Sequence, residues 1–302
     1  MLMMVLEIKQ DRPSDMLRQR VITAIVMLAV LYAGTAWLSP MWFAGFLSMI
    51  MLPVLLEWAE LMGLERKRDK ILWMLLFSMV LLPLTIVLAL PGGVPSIPGV
   101  AAVSGLAVLF WFVVFWIIRD YPNGQEHWQA RWKIGVMGVA CLVPTWLGLF
   151  YLKVLAPSGM LVFILIGLVS IVDIGAYFSG RAWGRKKLAL ALSPKKSWAG
   201  FWGGLASCAL LSSGILWWVH TNYQPIEPDL WILLLLAAML MAVFSVIGDL
   251  FESMLKRHRG IKDSGRLLPG HGGFLDRIDS LMAATPVYVL ALVVLSHGLE
   301  VI

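Results

Sequence analysis

The chain is short of charge and nearly free of cysteine. Only 14% of its 302 residues are Asp, Glu, Lys or Arg, against about 25% in a typical soluble chain. With so little charge and 60% hydrophobic residues, it is neither a water-soluble globule nor a disordered or fibrous protein. Its two cysteines, Cys141 and Cys208, lie inside apolar runs, which excludes a disulfide framework and a thiolate zinc site. The sequence has no repeat of solenoid period, no low-complexity tract and no Walker-type glycine–lysine loop, so a P-loop nucleotide site is not supported.

What the chain does have is apolar length. Nine stretches, most about 20 residues long, match the hydrocarbon thickness of a bilayer. Mean hydropathy is +0.84, and 15 Trp suit a protein with two lipid–water boundaries. The sequence predicts an all-α polytopic membrane protein with spans near 20–39, 41–63, 71–90, 99–118, 134–155, 160–181, 200–219, 229–251 and 280–300. Short loops rich in Lys and Arg stay on the cytoplasmic side. With the N-terminus inside, together with Lys9, Arg12, Arg18 and Arg20, the loops 64–70, 119–133, 182–199 and 252–279 fall inside too. All but Lys153 of the 24 basic residues then share that side, and the outer connections PGGVPSIPG, APSG and TNYQPIEPD carry none.

Ala33-Gly34-Thr35-Ala36 has the small residues of a signal-peptide cleavage site. The apolar run continues through Trp37 and Leu38, however, and the polar leader is long, which favours an uncleaved first span. The basic leader reads as a membrane-surface segment, and no nucleic-acid partner is expected. Short outer loops without a targeting peptide point to a bacterial inner (plasma) membrane.

Chemistry is unevenly spread. Residues 1–160 form a basic leader and five spans, with charge kept to the margins. Glu57 and Glu60, one helical turn apart, are read as interfacial acids pairing with the basic 66–70 loop. In residues 161–302 charged and glycine residues fill the inner loops 182–199 and 252–279 and enter the spans. Asp173 stands inside the sixth span, where an ionised carboxylate costs upward of about 2.5 kcal/mol unless it faces a wet cavity or a cation. Helical spacing puts it on one face with Tyr177 and Gly180. It either binds metal or organises a cavity, or it is a helix-packing acid beside the small residues Gly175 and Gly180. In Ser193-Pro194-Lys195-Lys196-Ser197, the lysines offer point charges and Ser197 can cap the next helix or bind an anion.

The eighth span ends with Ser245, Asp249, Glu252, Ser253 and Lys256 on one face. Directly after it come Arg257, Arg259, Lys262, Asp263, Arg266, His271, Arg277 and the pair Asp276 and Asp279. Gly265, Gly270, Gly272 and Gly273 let backbone N–H groups approach an anion. Helix capping would explain Asp276 and Asp279, but it leaves Asp249, the basic residues and the Gly-His-Gly-Gly turn unexplained. Together they suit a polyphosphate with a hard divalent cation such as Mg2+. His271 hydrogen-bonds a phosphate, shuttles a proton or holds the loop. His258, among basic residues, is read as solvated.

Ser253-Met254-Leu255-Lys256-Arg257, Lys262-Asp263, Pro269-Gly270-His271-Gly272-Gly273 and Asp276-Arg277-Ile278-Asp279 closely resemble the signature of the CDP-diglyceride synthetases, or phosphatidate cytidylyltransferases. Asp173-Ile174-Gly175-Ala176-Tyr177, Ser193-Pro194-Lys195-Lys196-Ser197-Trp198 and Leu17-Arg18-Gln19-Arg20 also resemble that family. The detailed likeness covers residues 173–280. It implies synthesis of CDP-diacylglycerol and pyrophosphate from CTP and phosphatidic acid at a cytoplasm-facing site, with Mg2+, alone or with a second cation, in a homodimer. It implies that Asp249 and Asp276 hold the metal, with Lys256 and Lys262 catalytic beside them. Substrate would be bound by Asp173, Lys195, Lys196, Ser197, Ser253, Arg257, Asp263, His271, Gly272, Gly273, Arg277 and Asp279. The family has Glu after the tryptophan of the lysine motif, where this chain has Ala199. That substitution either removes the role of the Glu here or passes it to another acid such as Glu252.

A transporter or flippase of an anionic phosphorylated lipid is the competing reading. It predicts internal repeats and midplane charges, whereas the two halves differ and only Asp173 lies clearly inward. A CDP-alcohol phosphotransferase would carry an Asp-Gly, Ala-Arg motif that is absent from this sequence.

Overall fold

The structure, a computed structural model, describes residues 13–89, 95–223 and 225–298. Lys9, Arg12 and the start of the first outer connection lie outside the described residues, as do the side chains of Arg18 and Arg20. Nine α-helices run in order among the described residues: α1 (Pro13–Trp37), α2 (Pro40–Leu61), α3 (Lys67–Ala89), α4 (Ile97–Asp120), α5 (Arg131–Leu155), α6 (Met160–Trp183), α7 (Trp198–Asn222), α8 (Pro228–His258) and α9 (Asp279–Gly298). A small antiparallel hairpin, β1 (Lys187–Ala189) and β2 (Ser193–Ser197), joins α6 to α7. The chain is thus an all-α polytopic membrane protein, with each predicted span carried by one helix.

Among the described residues, seven of these helices are long and apolar enough to cross a bilayer, and the described parts of α1 and α9 add the apolar stretches Val21–Trp37 and Asp279–Leu295. α9 packs on α4, α5 and α8, and most of its described side chains are buried or half-buried. α5 is apolar on nearly every side and buried to match. By contrast α3 turns Ile71, Leu72, Leu75, Leu76 and Met79 outward, the apolar belt a bilayer covers.

Close helix packing sets up the site. Along the α6–α7 crossing, a Cβ on Gly200 would sit 2.8 Å from the Ala176 carbonyl and one on Gly204 2.8 Å from the Val172 carbonyl. The glycines let the backbones meet, as small residues do between membrane helices. Gly175 packs there too, so the small-residue reading of this stretch holds while Asp173, two residues earlier, stays exposed.

The connections gather at two ends. At one end Thr23 donates to the Pro269 carbonyl (3.1 Å), Arg259 to the Glu60 carbonyl (3.2 Å) and Arg257 to the Leu192 carbonyl (3.3 Å), while Trp128 meets His258 edge-on. The 62–66, 121–130, hairpin and 259–278 segments therefore share one end of the bundle, as the basic-residue pattern requires. At the other end Lys153, fully buried, donates to the Thr35 and Pro157 carbonyls at 2.5 Å each. That pins the end of α1 to the α5–α6 turn.

Candidate functional site

The end of α8 carries its polar residues on one face, and two of them, Asp249 and Lys256, find partners on other elements. Lys196, on β2, reaches Asp249 at 2.5 Å, and Ser253 donates to the same carboxylate at 3.4 Å. One turn further, Lys256 lies between two acids, 2.5 Å from Glu252 and 2.6 Å from Asp276. Glu252 is fully buried, and its Oε1 has no hydrogen-bond partner. An uncompensated charge in such a place is costly, so this oxygen calls for a proton or a cation beside it.

Asp276 sits in a short 3-10 turn, Leu275–Arg277, one residue before α9 rather than within it. It therefore does not share a helix face with Asp279. Its Oδ2 accepts the backbone N–H groups of Ser264 (3.0 Å) and Gly273 (2.8 Å), and its Oδ1 accepts from Lys256. Burial alone would raise this carboxyl, but those hydrogen bonds outweigh it and hold the pKa below the ordinary 3.8. Asp279 opens α9 and accepts the Ser280 N–H at 2.7 Å. It lies within electrostatic reach of Asp249 and Glu252, as Asp173 does of Asp249, Lys196 and Arg277. Acids and bases from α6, β2, α8, the 3-10 turn and α9 thus converge. Asp249 and Asp276 each engage a different lysine.

Beside them lies a cavity of about 620 Å³ lined by Lys262, Asp263, Arg266, His271, Gly272 and Arg277, among others. The backbone turns sharply here because Gly272 takes a left-handed φ of 84°, where a Cβ would lie 2.7 Å from Asp276. Lys262, Asp263 and Arg266 are exposed around the rim. Arg277 donates to the His271 carbonyl at 2.8 Å, and the His271 Nδ1 is buried without a partner. Lys195 is exposed on the hairpin. Ser197 is buried and accepts the Gly200 N–H at 3.1 Å, so of its two expected uses the structure displays the helix cap. His258 is not fully solvated, since its ring meets Trp128 edge-on with centroids 5.0 Å apart.

One pairing differs from expectation. Glu60 does bind the basic loop, 3.0 Å from Lys70, but Glu57 turns inward and is only 3% exposed. It accepts from the Ser264 hydroxyl (2.9 Å) and from the N–H groups of Phe274 (3.0 Å) and Leu275 (2.8 Å). The signal was present in the sequence. Glu57 stands within Leu55-Leu56-Glu57-Trp58-Ala59, and a carboxylate inside an apolar run needs internal donors. Ala199 opens α7, while Glu252 sits among Lys256, Asp276 and Asp279, so an acid is available to the cluster without a Glu at 199.

The sequence also matches known proteins along most of its length. The profile of the "Cytidylyltransferase family" matches residues 18–295. A phosphatidate cytidylyltransferase of Pseudomonas aeruginosa is 39% identical over 277 residues, 92% of this chain and 97% of that protein. One from Haemophilus influenzae is 32% identical over 286 residues, 90% of this chain and 97% of its own length. One from Brucella suis is 36% identical over 276 residues, covering 91% and 92%.

Proposed function

Because the chain belongs to the cytidylyltransferase family, we propose that the cluster around Lys256 is where it joins CTP to phosphatidate. The protein is a membrane-embedded nucleotidyltransferase of phospholipid biosynthesis that makes CDP-diacylglycerol and pyrophosphate. The observation that carries the site assignment is the convergence of Asp249, Glu252, Asp276 and Asp279 with Lys196 and Lys256 beside a basic glycine loop.

In the reaction a phosphatidate oxygen attacks the α-phosphorus of CTP. The bond to the bridging oxygen breaks, and pyrophosphate leaves with the electron pair. Charge builds on the phosphoryl oxygens, so cations and N–H donors fixed in advance lower the barrier. Lys262, Arg266 and Arg277 line the cavity that takes the triphosphate, and Gly272 and Gly273 admit it close to the backbone. His271, with its free Nδ1, reaches the same space. Lys195 and Lys196 receive the lipid phosphate. An apolar cavity of about 420 Å³ lined by Leu188, Leu190, Leu192, Phe201, Val246 and Leu250, among others, with Arg119 at its wall, borders the site and accommodates an acyl chain.

The donor set suits a hard cation. Glu252 offers an unpaired buried oxygen, and Asp249 and Asp276 would hold Mg2+ beside it. Among the described residues no three His, Cys, Asp or Glu side chains form a ready metal cage. Mg2+ needs only one or two carboxylates with substrate phosphates and water. When bound, the ion neutralises triphosphate charge and polarises the α-phosphate. The proposed site residues all lie within 161–302. The segregation of basic residues supports an inner-membrane surface facing the cytoplasm with the N-terminus inside, and a homodimer as the working unit rests on the family likeness.

The test is label transfer from α-labelled CTP into lipid by purified protein, with phosphatidic acid, other lipid phosphates and magnesium removal as arms. Label in CDP-diacylglycerol only with phosphatidic acid and free Mg2+ is expected. Transfer unaffected by chelation would remove the cation, and no transfer would remove the reaction.

A further inference from the structure

The glycine loop that carries Asp276 is held by a side chain from the other half of the protein. Glu57, on α2, is separated from Ser264 by 207 positions, yet it takes three hydrogen bonds from the loop. Every partner is a donor: Phe274 N–H to Oε1, and Leu275 N–H and Ser264 O–H to Oε2. Such a position calls for two acceptor oxygens. A carboxylate supplies them, whereas an amide would turn its NH2 against an N–H or O–H. The contact is also tight. A Cβ on Gly265 or Gly273 would run into the Glu57 carboxylate, so both positions exclude a side chain because that carboxylate is there.

The same donors lead on to Asp276. Ser264 gives its hydroxyl to Glu57 and accepts the Asp276 N–H at 3.3 Å, while its own N–H donates to Asp276 Oδ2 at 3.0 Å. Gly273, packed on Glu57, gives its N–H to that same oxygen at 2.8 Å. This leaves Asp276 Oδ1 facing Lys256 at 2.6 Å. Glu57 therefore fixes both the backbone of Asp276 and the peptide groups that orient its carboxylate. We infer that Glu57 is a positioning residue for cytidylyl transfer: a buried α2 carboxylate that sets Asp276, and through it Lys256, without touching substrate. This rests on the assignment of Asp276 and Lys256 to the site.

Glu57→Gln, Glu57→Asp, Ser264→Ala and Glu60→Gln, each in the full chain in lipid nanodiscs, test it by two measurements. The first is steady-state transfer from CTP to phosphatidate. Glu57→Gln is expected to lower kcat about tenfold or more with KM for CTP changed much less, and Glu57→Asp, which keeps two acceptors, to recover part of the loss. Ser264→Ala moves kcat in the same direction, and Glu60→Gln leaves it unchanged. The second is hydrogen–deuterium exchange. Peptides covering 264–277 should exchange about tenfold faster in Glu57→Gln, with the helices unaltered. If Glu57→Gln does not fold, Glu57→Asp and Ser264→Ala carry both measurements.

The inference is overturned by wild-type kcat in both Glu57 variants or by unchanged loop exchange. It is equally overturned if all peptides speed up together while activity follows only the amount of folded protein, since Glu57 would then be general packing. Failure of the underlying site assignment reads differently: Asp276→Asn and Lys256→Met would keep wild-type rates, which overturns both.

Discussion

Replacing Lys256 by Met tests the electrostatics of the site in one step. Met keeps the stem and removes the ammonium that lies between Glu252, which is fully buried, and Asp276. Two carboxylates at 2.5 and 2.6 Å lose their shared counter-charge. Removing one partner of a buried ion pair costs about 3–5 kcal/mol, because the remaining charge is left uncompensated. At roughly 2–4 °C per kcal/mol, the melting midpoint in detergent should fall by at least about 6 °C. Lys256→Arg, which retains the charge, should fall less. Transfer activity should drop further than stability, since Asp276 loses its Oδ1 partner as well. The assay is a melting curve read alongside initial rates corrected for folded protein. A Lys256→Met protein that melts within about 1 °C of wild type would refute the reasoning, because the three groups could not then form a buried network.

Three further outcomes follow from separate parts of the molecule. Asp276 has its pKa held below 3.8, so its stabilising contribution is complete above that value and is lost as pH falls through the folded one. Exchange protection of the 264–277 loop should therefore be flat from about pH 8 to pH 5 and decay below about pH 4; decay already near neutrality would contradict it. Gly272→Ala forces a side chain into a left-handed backbone at about 1–2 kcal/mol and brings its Cβ against Asp276, so kcat should fall with little change in the bundle's melting. Lys153→Met strips the Thr35 and Pro157 carbonyls of a donor at the far end. It should lower stability by about 1–3 kcal/mol and leave the kcat of folded protein intact, which a melting curve and a rate measurement read together.

The helices were legible because each apolar stretch is bounded by charge, proline or glycine. Pro40, Ile97-Pro98 and Pro228 open α2, α4 and α8 within two residues of where the hydropathy rises. The Ser253–Asp279 stretch stood out in the sequence because no capping arrangement needs so many charges and glycines together, and the structure folds much of it around one cavity. What could not be read was pairing across distance. Nothing local to Glu57 says that its donors lie beyond residue 260, and a neighbouring basic loop offered a nearer partner that Glu60 in fact takes. Nor could spacing say which lysine meets which acid. Lys196 finds Asp249 because the hairpin folds back onto α8, a tertiary fact with no sequence period. Asp276 and Asp279, three apart, would share a helix face only if the ninth helix began at Asp276, but the chain makes a 3-10 turn first and sends them to different neighbours.

The central claim is that the acids beside Lys256 perform cytidylyl transfer. Its most direct measurement is the initial rate of CDP-diacylglycerol formation by Asp276→Asn relative to wild type, at equal folded protein. Asn keeps the size and one acceptor but loses the charge that meets Lys256 and would meet Mg2+. The rate should fall by about a hundredfold or more. A rate equal to wild type in a correctly folded protein would contradict the account.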